Sequence, residues 1–244
     1  MSAPVRPRRL SPWGRLVAAC AVLVGGLALA LGIWTLADRS ERRVSYTVGG
    51  TLNGLTLDLG DADVTIVGAG TRESVGVEHV DRFGFGHDAV TRRAIDGGLF
   101  RVWSRCPSTV LHGCSVRYRV AVPDNLPLTI RTGTGSVTLR DYRGSARITT
   151  GAGDVDIVGW CGFSLQARAE GGDVRAGTTC SPQRLSLRST TGAVHAQVPR
   201  GRYRIDASTA GGPPVVRGIT ADPDAPYAIQ ALSSSGHVMV ERAP

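Results

Sequence analysis

One spacing constrains this chain more than any other feature. An apolar-x-apolar triplet recurs seven times, as Leu55/Leu57, Leu128/Ile130, Ala146/Ile148, Leu165/Ala167, Leu185/Leu187, Tyr203/Ile205 and Ile229/Ala231. In six copies a second triplet follows: Val64/Ile66, Val137/Leu139, Val155/Ile157, Val174/Ala176, Val194/Ala196 and Val238/Val240. Turn residues separate the two triplets, as in TGTGS, TGAGD, AEGGD, STTGA and SSSGH. Side chains alternate between the faces of a strand, so both members of a triplet share one face. A single such unit cannot bury its apolar face, and stability has to come from stacked neighbours.

From Val137 the second triplets begin 18, 19 and 20 residues apart in turn, at Val155, Val174 and Val194. A near-constant period predicts an all-β, repetitive parallel β-solenoid, in which each strand pairs with its counterpart in the next repeat. An antiparallel sandwich of hairpins is the rival. It explains two-strand units but not the recurrence of one residue type at equivalent positions. The copy starting at Tyr203 runs into Pro213-Pro214, which cannot donate ladder hydrogen bonds, so a bulge or excursion is expected there. The copy ending at Val240 is expected to carry the stack to the end of the sequence.

Residues 16–37 (LVAACAVLVGGLALALGIWTLA) contain no charged side chain. As a helix they reach ~33 Å, against a hydrocarbon core of ~30 Å. Trp34 stands where an interfacial anchor is favoured. Arg6, Arg8, Arg9 and Arg15 precede the segment, and no acid precedes Asp38. That bias places the N-terminus in the cytoplasm and the C-terminal part outside. The sequence therefore divides into a basic tail (1–15), a transmembrane helix (16–37), a charged linker (38–43) and the β domain (44–244). A cleaved signal ending near Thr35-Leu36-Ala37 is the alternative, but its apolar region would be shorter. Cys20 follows VAA as in a lipobox, yet the apolar stretch comes after it rather than before, so it reads as a side chain facing lipid or a neighbouring helix.

The other cysteines fit an exported domain: an even number past a membrane span points to disulfides in an oxidising compartment. Cys106 and Cys114 bracket the short loop PSTVLHG. Cys161 and Cys180 are 19 residues apart, as are Val155 and Val174. If repeats stack, the two cysteines occupy equivalent positions ~4.8 Å apart, near the range a disulfide accepts. No C-x-x-C pair suggests zinc instead.

All 28 basic side chains are Arg, and from Asp38 onward 24 Arg face 20 acids. Thinly spread charge without interleaved aromatics argues against nucleic acid as a partner. The expected partners are the lipid bilayer, through residues 16–37, and an envelope protein or polysaccharide of unknown identity.

The order of features resembles a bacterial putative-adhesin family of β-solenoid domains, long carried as a domain of unknown function. The matching features are a strand ending in Val-Pro (VRYRVAVP, 116–123), an apolar strand (LPLTIRTG, 126–133) and repeated Thr/Ser–Gly–Asp/Ser–Val units. The likeness covers about residues 44–244, best over 115–198. It implies export or membrane tethering and brings no catalytic residue with it.

No chemical site stands out. Calcium β-rolls place an Asp in every turn, whereas the equivalent positions here hold Ser136, Asp154, Asp173, Ala193 and His237. Asp and Ser there read as turn stabilisers. TGTGS and TGAGD lead into strands rather than helices, so they are not phosphate loops. His79, His87, His112, His195 and His237 lack metal-ligand spacing and read as surface side chains. Asp61/Asp63 and Asp154/Asp156 are close acid pairs, and proximity alone does not make a general acid and base. The expectation is a non-catalytic, membrane-anchored envelope protein with no cofactor, catalytic residue or metal site. A β-helical enzyme acting on wall polysaccharide and an accessory to envelope-stress signalling are the alternatives.

Overall fold

The structure, a computed structural model, describes residues 12–37, 39–84, 88–107 and 114–243. Most of the basic tail, His87, His112 and most of the PSTVLHG loop lie outside the described residues, as does the side chain of Trp34. The chain divides into two units, Met1–Ser40 and Glu41–Pro244.

The first unit holds one helix, α1 (Pro12–Ala37). Its window Leu16–Ile33 has a mean hydropathy of 2.6 and none of it is buried, so the helix is long and apolar enough to cross a membrane.

The β structure opens irregularly with β1 (Arg39–Val48), β2 (Gly54–Asp58), β3 (Asp63–Gly68) and β4 (Val75–Gly84). It continues with β5 (Val90–Asp96), β6 (Leu99–Arg105) and β7 (Ser115–Val122). The charged segment after the helix is thus extended strand from Arg39. Four regular pairs follow. They are β8 (Leu128–Thr132) and β9 (Val137–Arg140), then β10 (Ala146–Thr150) and β11 (Val155–Trp160). Next come β12 (Ser164–Ala169) and β13 (Val174–Thr178), then β14 (Arg184–Ser189) and β15 (Val194–Val198). The remainder comprises β16 (Arg202–Thr209), β17 (Val215–Arg217), β18 (Thr220–Ala221), β19 (Ala228–Ser233) and β20 (Val238–Arg242).

These strands build two ten-stranded sheets. Sheet one runs β1-β4-β7-β3-β9-β11-β13-β15-β20-β17 and sheet two runs β18-β16-β19-β14-β12-β10-β8-β2-β6-β5. The triplets pair in parallel with their counterparts: Ala146 with Leu128 and Leu165, and Val155 with Val137 and Val174. The inward members of both sheets form one buried cluster, with Ile130, Leu139, Leu187 and Val240 fully enclosed.

Three expectations need correcting. The sheets are mixed rather than wholly parallel, because β4 runs antiparallel to β7 and β5 antiparallel to β6. The local cause at β5–β6 is Gly97-Gly98, both at positive φ, a two-residue hairpin turn that returns the chain beside itself. Of the segment FGFGHDAVTRR (83–93), the first two residues end β4 and the last four begin β5.

The copy at Tyr203 is offset: Ile205 pairs with Ile229 and Ala207 with Ala231. Tyr203, two residues earlier, is fully buried and donates its hydroxyl to the Pro199 carbonyl at 2.8 Å.

The strand order also departs from chain order at both ends of the stack. β2 lies between β6 and β8, and β19 lies between β14 and β16. In sheet one β20 likewise sits between β15 and β17. The Pro-Pro copy is therefore the outer member, where a short strand without all its donors is tolerated.

The turns between paired strands carry their own ladder. A Cβ on Gly153, Gly172, Gly192 or Gly236 would overlap the carbonyl oxygen of the glycine one layer away: Gly135, Gly153, Gly172 and Gly192 respectively. Close backbone approach, not positive φ, requires glycine here. Buried hydroxyls hold the same turns. Ser189 Oγ donates to the Gly172 carbonyl at 2.7 Å and accepts from Gly192 N–H at 2.9 Å, and Ser233 repeats the arrangement with Gly192 and Gly236.

Candidate functional site

The residues singled out in the sequence separate into three settings. The turn carboxylates are occupied by backbone. Asp63 Oδ1 accepts Ser136 N–H at 3.1 Å, Asp154 Oδ1 accepts Asp173 N–H at 2.8 Å, and Asp173 Oδ1 accepts Ala193 N–H at 2.8 Å. Asp61 accepts the Thr134 hydroxyl at 3.0 Å. Each carboxylate ties one layer to the next. Among the described residues, no three His, Cys, Asp or Glu side chains converge as a metal site. Cys106 is bonded to Cys114, and Cys161 to Cys180 with Cα atoms 5.1 Å apart. The latter bridge joins the corner after β11 to the corner after β13.

The second setting corrects the reading of His79 as a surface side chain. It is buried on the inner face of β4, with Asp81 Oδ2 3.6 Å from its Nε2 and the Tyr118 ring 5.2 Å from its own. Tyr118 OH lies 3.4 Å from Thr91 Oγ1, while the Arg93 guanidinium sits 4.4 Å over the Tyr46 ring. His79 Nδ1, Asp81 Oδ1 and the Tyr46 hydroxyl have no hydrogen-bond partner among the described residues. Burial pushes His79 below the usual imidazole range, opposed by Asp81 and reinforced by Arg42 and Arg93. Burial likewise raises Asp81, offset by His79 and Arg42. His79 and Asp81 are enclosed between strands, whereas Tyr46 and Arg93 border an open cavity of about 520 Å³ with Val48, Ile95 and Phe100.

The third setting is one the sequence did not reveal. Residues alternating with the buried triplets of sheet two project from its outer face. There Arg131, Arg147, Arg168, Arg184, Arg188 and Arg204 are all exposed. Among the described residues none of the six forms an ion pair, and Arg147 Nε donates to Gln166 Oε1 at 3.1 Å. Acids on the face and its margins are fewer than the arginines: Asp58 holds Arg105 at 2.9 Å, Asp206 accepts Gln230 Nε2 at 3.0 Å, Asp222 pairs with Arg202, Asp96 lies opposite Leu99 on the far edge strand, and Asp61 and Glu170 share a cavity with Asp58, Arg105 and Arg131.

Pairing places these groups in rows. Arg131 is opposite Thr149, Thr149 opposite Arg168, and Arg168 opposite Arg188. One strand position away run Thr129, Arg147, Gln166, Ser186 and Gln230. Shallow cavities lie on this face: one of about 490 Å³ is bordered by Gln166, Arg184, Ser186, Arg204 and Gln230, and a smaller one by Thr129 and Arg147.

Sheet one is more mixed: Arg117, Arg119 and Arg140 are exposed there without an ion pair among the described residues, but Asp63, Asp156 and Glu241 share the face. Arg175 is held by Asp173, and Glu241 accepts from Gln197 and meets His195 at 2.9 Å. The expectation that basic side chains do not cluster is thus overturned. Arginines some twenty residues apart in sequence become neighbours once their strands pair.

Fold and surface together define an all-β protein with two large mixed sheets, one outer face of mixed charge and one more basic. No family model matches the chain, and no curated protein matches it. Among solved structures it is similar to a putative cell adhesion protein of Clostridium sporogenes, at 10% identity over 84% of this chain and 100% of that one, with a TM-score of 0.43. It is also similar to a putative adhesin of Bacteroides fragilis, at 10% identity over 84% and 98% of the two chains, with a TM-score of 0.47. A putative lipid binding protein of Parabacteroides distasonis matches at 9% identity over 85% and 97%, with a TM-score of 0.31. Likeness at this level assigns neither family nor ligand.

Proposed function

We propose that this chain is a non-catalytic binding or scaffolding protein of the bacterial cell envelope. Residues 16–37 anchor it in the membrane with the N-terminus in the cytoplasm. Residues 44–244 are a β-solenoid, disulfide-bonded at Cys106–Cys114 and Cys161–Cys180, displayed outside and of the putative-adhesin kind. The outer face of sheet two is its binding surface.

One observation carries this reading: six exposed arginines on one face without carboxylate partners. Uncompensated charge gathered on one surface raises the local concentration of an oppositely charged partner. The wall-cleaving alternative has less support: Asp58, Asp61 and Glu170 do border a cavity of about 560 Å³, but Asp58 there holds Arg105 and Asp61 accepts the Thr134 hydroxyl, while Asp63 and Asp154 accept backbone N–H groups of the turns.

Cosedimentation of the full chain with isolated cell walls tests the reading. The wild type is expected to pellet with the walls. A variant with Arg131, Arg168 and Arg188 changed to Gln is expected to stay largely in solution. Equal pelleting of the two would remove the face as the binding surface. Protease accessibility in intact cells tests the topology, and a protected C-terminal part would overturn the anchor.

A further inference from the structure

We propose that the outer face of sheet two binds a linear anionic polymer, laid across the strands along the stacking direction, with its phosphate or carboxylate groups on the arginines. This rests on the reading of that face as the binding surface.

The geometry favours an extended ligand. Neighbouring strands step by ~4.8 Å, so Arg131 and Arg168, two steps apart, stand ~10 Å from each other, and Arg168 and Arg188 ~5 Å. Arg147 fills the gap from the adjacent row. Arg184 and Arg204 flank Ala228 in register and extend the basic surface toward β16. From β8 to β16 is five steps, or ~24 Å. A compact anion would reach one or two of these groups, whereas a chain with a charge on each monomer would reach all of them.

The chemistry between the charges narrows the class. Gln166, Ser186 and Gln230 form a line of amides and hydroxyls, with Ser186 Oγ donating to Gln230 Oε1 at 3.0 Å. Such groups exchange hydrogen bonds with the hydroxyls of a sugar or polyol backbone. The guanidinium fork matches phosphate and carboxylate oxygens two at a time. Outward positions from β8 to β16 carry only Ala228 and Leu232 as apolar side chains, and neither is fully exposed. A large exposed apolar side chain, Phe163, stands at the corner before β12 rather than among these positions. The same positions carry no aromatic ring on which a nucleic-acid base could stack.

The test uses the full chain in zwitterionic phosphatidylcholine nanodiscs. It is titrated with long-chain polyphosphate, polygalacturonate, neutral dextran, single-stranded poly-dT and phosphatidylglycerol vesicles. Polyphosphate and polygalacturonate are expected to bind, with affinity falling steeply as salt rises. The variant R131Q/R168Q/R188Q is expected to bind about tenfold more weakly, and the sheet-one control R140Q/R175Q within about twofold of wild type. Unchanged thermal unfolding of both variants separates binding from folding.

Equal weakening by the control, or no binding of either anionic polymer, overturns the proposal. Tighter binding of poly-dT, or binding of vesicles alone, overturns it in favour of nucleic acid or a lipid surface. Dextran binding that the triple variant abolishes overturns the polyanion while leaving the face as the binding surface. If wall cosedimentation is also indifferent to the triple variant, the face itself is wrong.

Discussion

Gly153 lies against the carbonyl oxygen of Gly135, so closely that a Cβ at 153 would overlap it. Gly171 and Gly172, adjacent in EGGDV, differ in the same respect. A Cβ at 172 would overlap the Gly153 carbonyl, but at 171 its nearest neighbour is an ordinary 3.6 Å away. Gly172→Ala is therefore expected to destabilise by about 1–3 kcal/mol, as overpacking does. Gly171→Ala should be neutral or stabilising by up to about 1 kcal/mol, because alanine restricts the unfolded chain. Urea unfolding of the two variants checks the contrast.

The inward row Thr132, Thr150, Ala169, Ser189, Ser233 and Thr209, buried except at its outer member Thr209, lacks a hydroxyl only at Ala169. Ser189→Ala removes a donor and an acceptor from a closed turn and should cost about 1–3 kcal/mol. Ala169→Ser should supply the missing hydroxyl and stabilise by about 0.5–1.5 kcal/mol. Both are read from denaturant midpoints, and a destabilised Ala169→Ser would refute the equivalence of the row.

His79 and Asp81 pull the pH dependence of stability in opposite directions. A histidine depressed in the folded state costs stability as pH falls through its unfolded value, about 6.5. An aspartate raised in the folded state contributes stability at low pH that is lost as pH rises through its folded value. Asp81→Asn leaves only the first effect. The melting temperature of that variant should drop between pH 7 and pH 5, by no more than about 1.4 kcal/mol per pH unit in free-energy terms. The wild type should be flatter. A flat profile in Asp81→Asn would show that His79 titrates normally.

Non-reducing peptide mapping should recover Cys106–Cys114 and Cys161–Cys180. Replacing Cys161 and Cys180 together with Ser should lower stability by about 2–4 kcal/mol, since the bridge closes a long loop of the unfolded chain. Free thiols at all four positions would also undercut the exported location.

The apolar spacing was legible because burial acts on every layer alike: each triplet has to present the same face. That uniformity is also why neighbours were not legible. Leu185/Leu187 can stack on Ile229/Ala231 as well as on Ile205/Ala207, and nothing in either triplet chooses. Three apolar residues at period two, Tyr203, Ile205 and Ala207, likewise allow two registers. The choice rests on Tyr203 filling the space beneath Pro199 and Ser181, a contact that exists only after folding. Arg131, Arg168 and Arg188 each follow a triplet by one residue. The basic row could have been found by aligning the repeats on that position rather than counting charge along the chain.

The placement of β19 between β14 and β16, and of β20 between β15 and β17, makes that pair a keystone. Deleting Ala228–Arg242 would not shorten the molecule by one tidy layer. It would leave two raw edges facing each other across a slot one strand wide, each with unpaired donors and acceptors and a strip of bare core. Such a slot would accept the matching strands of another copy, so the natural failure of a truncated chain is strand exchange between molecules rather than simple unravelling.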